Sequence, residues 1–303
     1  MGKAERSRSR TARERLAAQR TAARRAERRK RFTLAGGGIS LVLILAIVLF
    51  AVRPGASPAS SAATEPSTGT AAQAAAVSRE ITSVPAATFN SVGKGTAASL
   101  AATSGQPLLT SGGKPEVLYM GGEYCPFCAA ERWALTAALS RFGTFTGLHL
   151  IHSSPTDVYP STPTLSFHQS SFTSKYVSFT PVEWFGEAED ASTPFGHAYL
   201  EQPTAQEAAL FSKYANGSIP FVDIGNQYLV PQAQYLPSAL HSMTWSQVAA
   251  AMRTPASSVA KDVDGAANII TASICKITHG QPGGVCSSPG VTAAAGSLQS
   301  QTP

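Results

Sequence analysis

The run LAGGGISLVLILAIVLFAV, residues 34–52, contains no charge and no proline. At about 1.5 Å rise per residue it is long enough to cross the roughly 30 Å hydrocarbon core of a bilayer. A stretch this apolar constrains the rest of the chain, because whatever precedes it and whatever follows it lie on opposite sides of a membrane. We therefore expect one transmembrane helix over residues 33–52. The sequence Ala-Ser-Pro-Ala-Ser at Ala56 offers a cleavage signal, but the length of the run and its long basic leader favour an uncleaved anchor.

The charge distribution gives the orientation. Residues 1–32 hold 13 Lys and Arg against three Glu, leaving 11 basic and 15 acidic residues for the rest of the chain. The basic character thus belongs to a cytoplasmic tail, and everything after it is mildly acidic. That balance gives the folded part no electrostatic footprint for nucleic acid, so no nucleic-acid partner is expected. The tail suits anionic lipid headgroups instead.

Residues 53–78 are dominated by Ala, Ser, Thr, Pro and Gly and read as a flexible tether. The folded extracytoplasmic domain is expected over 79–290, followed by a disordered tail, 291–303. All four cysteines (Cys125, Cys128, Cys275 and Cys286) follow the anchor, in the oxidising compartment where disulfides persist. Four cysteines allow three pairings; the spacings favour 125 with 128 and 275 with 286.

Residues 114–120 (KPEVLYM) read as a buried strand between glycine pairs, and Pro126 opens a helix through about Arg141, stopped by Gly143. One apolar face of that helix is Phe127, Ala130, Ala134, Ala137 and Ala138. Residues 148–151 form a second strand. The aromatic-rich stretch 157–201 reads as one or two added strands or an elaborated loop. Capping boxes at Thr204 and Thr244 open further helices, Gly225-Asn226 marks a hairpin, and residues 259–274 carry a final amphipathic pattern. This order describes an α/β layer domain.

The most informative stretch is Cys125-Pro126-Phe127-Cys128. At a helix start, free N–H groups and the helix dipole stabilise a thiolate, the attacking species in disulfide exchange. Cys125, facing solvent, would form the mixed disulfide, and Cys128, one turn inside, would resolve it. A zinc site needs two further ligands, for which no second C-x-x-C exists. A c-type haem needs His after the second cysteine, where Ala129 stands. No cofactor and no metal is expected. An inert structural disulfide remains the bland alternative. Cys275 and Cys286 are read as a structural bridge pinning the last helix, with a second redox pair as the sharper option. G-x-S-x-G, Walker A and H-E-x-x-H motifs are absent. The six histidines are read as surface or locally bonded. Trp184, Phe185 and Phe195 read as core, with a substrate groove as the alternative.

The strand, the C-x-x-C helix start and the downstream Ser-Ile-Pro before a hairpin resemble the thioredoxin fold. With the segment before Ile219, this gives a thioredoxin-like domain with an insertion ahead of the proline strand, preceded by one transmembrane helix. The stretches GGEYCPFCAAERWAL and SIPF-D-IGN, with the C-terminal cysteine pair, are similar to a narrower group, the domain of unknown function 929 family of membrane-anchored prokaryotic proteins. The resemblance implies that Pro220 is cis and faces the cysteines, with Ile219 beside the substrate. It departs at Tyr119, where related oxidoreductases often hold a buried acid; an unperturbed tyrosine, pKa about 10, is a poor base. Glu123 is the nearest carboxylate and is expected to face solvent.

The expected function is a membrane-anchored thiol–disulfide oxidoreductase acting on the thiols or disulfides of exported proteins, with a membrane redox partner as a further expectation. A non-catalytic envelope scaffold is the main alternative, and a chaperone for soft metal ions is the weaker one.

Overall fold

In a computed structural model, the described residues are 68–103 and 105–299. The expected basic tail, the expected membrane helix and most of the expected tether lie outside them, as do residues 104 and 300–303. Among the described residues no helix is long and apolar enough to cross a membrane.

In chain order the elements begin with α1 (Ala71–Thr82), α2 (Ala86–Val92), β1 (Leu100–Ala102), β2 (Thr110–Ser111), β3 (Lys114–Gly122) and α3 (Pro126–Leu139). Next come β4 (Gly143–Thr146), β5 (His149–His152), β6 (Pro163–Ser166), β7 (Ser171–Ser174), β8 (Ser178–Glu189), β9 (His197–Tyr199) and α4 (Ala205–Tyr214). The chain continues through β10 (Phe221–Ile224), β11 (Tyr228–Val230), a 3-10 turn (Pro237–Leu240), α5 (Trp245–Met252), α6 (Ser258–Ile277), α7 (Gly283–Cys286), α8 (Pro289–Ala295) and β12 (Leu298–Gln299).

The main sheet is mixed, in the order β12-β1-β11-β10-β3-β8-β9, with β2 also on β3. Its centre is β3, which pairs parallel with β8 and antiparallel with β10. Alternation along β3 divides its side chains between two cores. Val117 and Tyr119 join the larger one, with α1, α3, α5 and α6. Leu118 and Met120 join the smaller one, which α4 covers through Phe211. Burial on both faces explains why KPEVLYM reads as a continuous apolar run.

The sequence places β3, α3, α4, α5 and the hairpin within a few residues of where they lie, because each carries local chemistry of its own. Thr204 and Thr244 cap their helices with the reciprocal Glu207 and Gln247 bonds. Gly225 and Asn226 both take positive φ between β10 and β11.

Four expectations need correction. The tether ends earlier than residue 78: Thr70 and Gln73 form a capping box, and Ala74, Val77 and Ile81 bury one face of α1. The stretch 157–201 contains four strands rather than one or two, among them the twelve-residue β8. Pro181 is tolerated inside that strand beside Tyr119 of its parallel neighbour. The tail expected over 291–303 is ordered through residue 299, since α8 buries Val291 and Ala294 and β12 pairs with β1. Finally, α3 and α6 are buried almost all round rather than along one face. Such helices sit between layers, and an apolar stripe understates their contacts.

Cys275 is bonded to Cys286, with their Cα atoms 5.6 Å apart, and the bridge ties the end of α6 to α7. Replacing both cysteines with alanine is expected to lower stability by about 3 kcal/mol in the loop-entropy model. Denaturant unfolding followed by tryptophan fluorescence measures this, and an unchanged midpoint would show that the closure contributes nothing.

Candidate functional site

The site lies where β3 ends and α3 begins. Cys125 is the N-cap of α3, with extended backbone, and Pro126 occupies the first helical position, where its missing N–H leaves no bond unmade. The Cys125 Sγ accepts the backbone N–H of Cys128 at 3.3 Å, in the role a serine or aspartate oxygen fills at other helix starts. The Cys125 N–H donates to the carbonyl of Gly122 at 3.1 Å, which fixes the turn out of the strand.

The two sulfurs differ chemically. Burial opposes ionisation of Cys125, but hydrogen bonds from the Cys128 thiol and backbone N–H, aided by Arg132, outweigh it and hold its pKa below the ordinary thiol value. Burial, the hydrogen bond to Cys125 and the charge of Cys125 push the Cys128 thiol up. Both are free thiols. A pair with one ionisable and one protonated member is suited to stepwise disulfide exchange.

Cys125 is not the exposed residue that the sequence leads one to expect: it retains 6% exposure and Cys128 none. The reason is an aromatic surround. Tyr124 and Phe185 pack with both cysteines, and Phe127, Trp184, Phe195 and Ile219 close against them. The His197 ring stacks on Tyr124 with centroids 3.7 Å apart, and Phe127 meets Tyr159 edge-on at 5.6 Å. Phe185 is fully buried, and Trp184 and Phe195 are partly buried hydrophobics packed against the same cluster beside the cysteines.

The Ile219–Pro220 bond is cis. Phe221 pairs with Met120, which brings Pro220 to the strand end that precedes Cys125. Ile219 and Cys125 thus share one apolar cluster, while Cys275 near the end of α6 and Cys286 on α7 lie outside it.

Beneath the cysteines lies a group that composition leaves unmarked. Arg132 on α3 is fully buried, and Glu183 on β8 receives its Nε at 2.8 Å and its Nη2 at 2.7 Å. Nη2 also donates to the Gly122 carbonyl at 2.8 Å, the same oxygen that holds Cys125 N–H. Glu183 further accepts the Phe167 N–H at 3.2 Å. A bidentate, fully enclosed pair is the geometry that makes a buried ion pair tolerable. The available signal was position: Arg132 follows Cys128 by four residues and Cys125 by seven, one and two turns along the same face. Tyr119 stands at the site's floor with its ring under the Arg132 guanidinium, 5.9 Å from its centroid, and burial raises its hydroxyl pKa well above the usual value.

Glu123 does not simply face solvent: it is half-buried and accepts the Ser166 hydroxyl at 2.6 Å. Among the described residues no group of three or more His, Cys, Asp or Glu side chains is placed to hold a metal ion.

No curated protein and no solved structure matches the chain. Residues 101–276, which include β3, both cysteines of the site, the Arg132–Glu183 pair and the cis proline, match the family described as domain of unknown function DUF929. The match spans more than half of the 303 residues, and the chain belongs to the DUF929 family.

Proposed function

We propose that the chain is a thiol–disulfide oxidoreductase with a thioredoxin-like domain, held outside the cytoplasm by one transmembrane helix and acting on exported proteins through Cys125 and Cys128. The observation that carries this reading is the capping role of the Cys125 sulfur. It takes the Cys128 N–H at the mouth of a helix and packs with Ile219, the residue before the cis proline, and of the two thiols it is the one whose charge the surroundings favour.

In the reductive direction, the Cys125 thiolate attacks one sulfur of a substrate disulfide. That bond breaks, Cys125 and the substrate share a new one, and the departing substrate thiolate takes up a proton. Cys128 then loses its proton and attacks the Cys125 sulfur, and the second substrate thiol leaves. Two electrons pass to the substrate, and the protein is left with a Cys125–Cys128 bond. The oxidative direction is the reverse. Because aromatic rings cover all but a small part of Cys125, the substrate that fits is an extended segment presenting its sulfur between them, rather than a disulfide within a flat surface.

The test is exchange by the full-length protein in detergent with a fluorescent peptide disulfide and with a reduced, unfolded protein substrate. Turnover of either one supports the reading. Inactivity in reduction, oxidation and isomerisation alike would rule it out. The burial of Cys125 favours a second reading, in which the same domain is a scaffold that binds an envelope partner without exchanging thiols.

A further inference from the structure

The proposed reaction requires Cys128, fully enclosed, to become a thiolate at the moment it attacks. Neutral donors or a fixed cation must then meet a charge that water cannot reach. The groups around it provide both. Arg132 is locked by Glu183 through Nε and Nη2, and its remaining nitrogen, Nη1, is buried with no hydrogen-bond partner. The Tyr119 hydroxyl is likewise buried and unpartnered. Two unused buried donors at one place are costly in the resting protein, each at about 1–3 kcal/mol.

The backbone is arranged to admit them. A Cβ on Gly121 would lie 2.0 Å from the Tyr119 hydroxyl, so the absence of a side chain there gives that hydroxyl its place along the strand toward the cysteines. Arg132 reaches back along α3 toward Cys128, the direction long side chains take on a helix. Its Nη2 shares the Gly122 carbonyl with the Cys125 N–H. The charged groups that act on the two cysteines are Arg132 from α3 and Asp157 from the β5–β6 connection; Glu183 holds Arg132.

We propose that Tyr119 and Arg132 form a charge-holding site beneath the dithiol that stabilises the Cys128 thiolate as it resolves the mixed disulfide. This inference rests on the oxidoreductase reading above. It assigns to a tyrosine and an arginine the task that a buried carboxylic acid would otherwise perform, with a difference in kind. A carboxylate removes the proton of the resolving thiol, whereas these two groups stabilise the anion and let the proton leave to the substrate thiolate or to solvent. Glu183 acts as a positioning residue, since it touches neither sulfur and fixes the guanidinium.

The experiment follows one step. A glutathione mixed disulfide is formed on Cys125 of the full-length protein in detergent, and release of glutathione by Cys128 is timed across pH. Tyr119→Phe removes only the unpartnered hydroxyl, so the fold is expected to be kept. It should slow release about tenfold at neutral pH and move the pH profile up by about one unit. The double change Arg132→Met with Glu183→Gln removes the cation without leaving a buried anion, and should slow release further. Unchanged rate and profile in a folded Tyr119→Phe protein and in the double variant would overturn the proposal and leave the oxidoreductase reading standing. Failure of the unaltered protein to form or resolve the mixed disulfide at all would overturn both.

Discussion

Cys125→Ser is expected to reduce disulfide exchange to background, a loss of about three orders of magnitude or more, while Cys128→Ser should accumulate covalent adducts. The asymmetry follows from the helix cap. Only Cys125 has its sulfur at the open end of α3, where the Cys128 N–H points at it and 6% of the residue is still exposed. A serine there keeps the cap but supplies no thiolate. With Cys128 replaced, the first step proceeds and the second lacks its nucleophile, so substrates remain bonded to Cys125. Non-reducing electrophoresis of cells expressing each variant checks this. Adducts of equal abundance in both variants would contradict the assignment of roles.

A second large effect is expected in stability against pH. Burial raises Glu131 to about 7, against its ordinary 4.5, and burial raises Asp264 to about 8, against 3.8. Glu131 lies on α3 and accepts the Gln234 N–H at 3.0 Å through one oxygen, the other being unpartnered. Asp264 lies on α6 with neither oxygen partnered, and Arg141 only partly offsets its burial. Both carboxyls hold their protons more tightly in the folded chain than in the unfolded one. Folding therefore takes up protons, and stability falls as pH rises.

This contribution is complete below about pH 4 and is lost progressively as pH passes through the folded values near 7 and 8. Asp223, raised to about 6 by burial, adds in the same direction. At about 1.4 kcal/mol per pKa unit, the loss between pH 5 and pH 8.5 is expected to be at most about 8 kcal/mol. Glu131→Gln with Asp264→Asn should flatten the curve and make the protein more stable than the parent at the alkaline end. Urea unfolding at a series of pH values measures both; a parent curve that rises over this interval would contradict the assignment.

These buried charges also mark where sequence reading stops. Strand β3, the hairpin and the capped helices are legible because a few adjacent residues specify each of them. The dithiol is legible for the same reason, since four consecutive residues carry its chemistry. Arg132, by contrast, depends on Glu183, which lies 51 positions away on a strand whose proline and charges disguise it. In sequence Glu131 and Arg132 look like the solvated side of an amphipathic helix; only the packing of the β5–β6 pair, the 3-10 turn and α6 around α3 shows that the helix has no solvated side. The covering of Cys125 was hidden likewise, because Phe185, Phe195 and His197 arrive from β8, the β8–β9 connection and β9.

The central claim is that Cys125 and Cys128 interchange between dithiol and disulfide at potentials found outside the cytoplasm. It is tested most directly by equilibrating the full-length protein in graded thiol–disulfide buffers, alkylating, and counting the modified cysteines in the 125–128 peptide by mass. A single two-electron transition with a midpoint between about −120 and −300 mV is the expected result. A pair that never forms the bond, or a bond that persists well below about −300 mV, would contradict it.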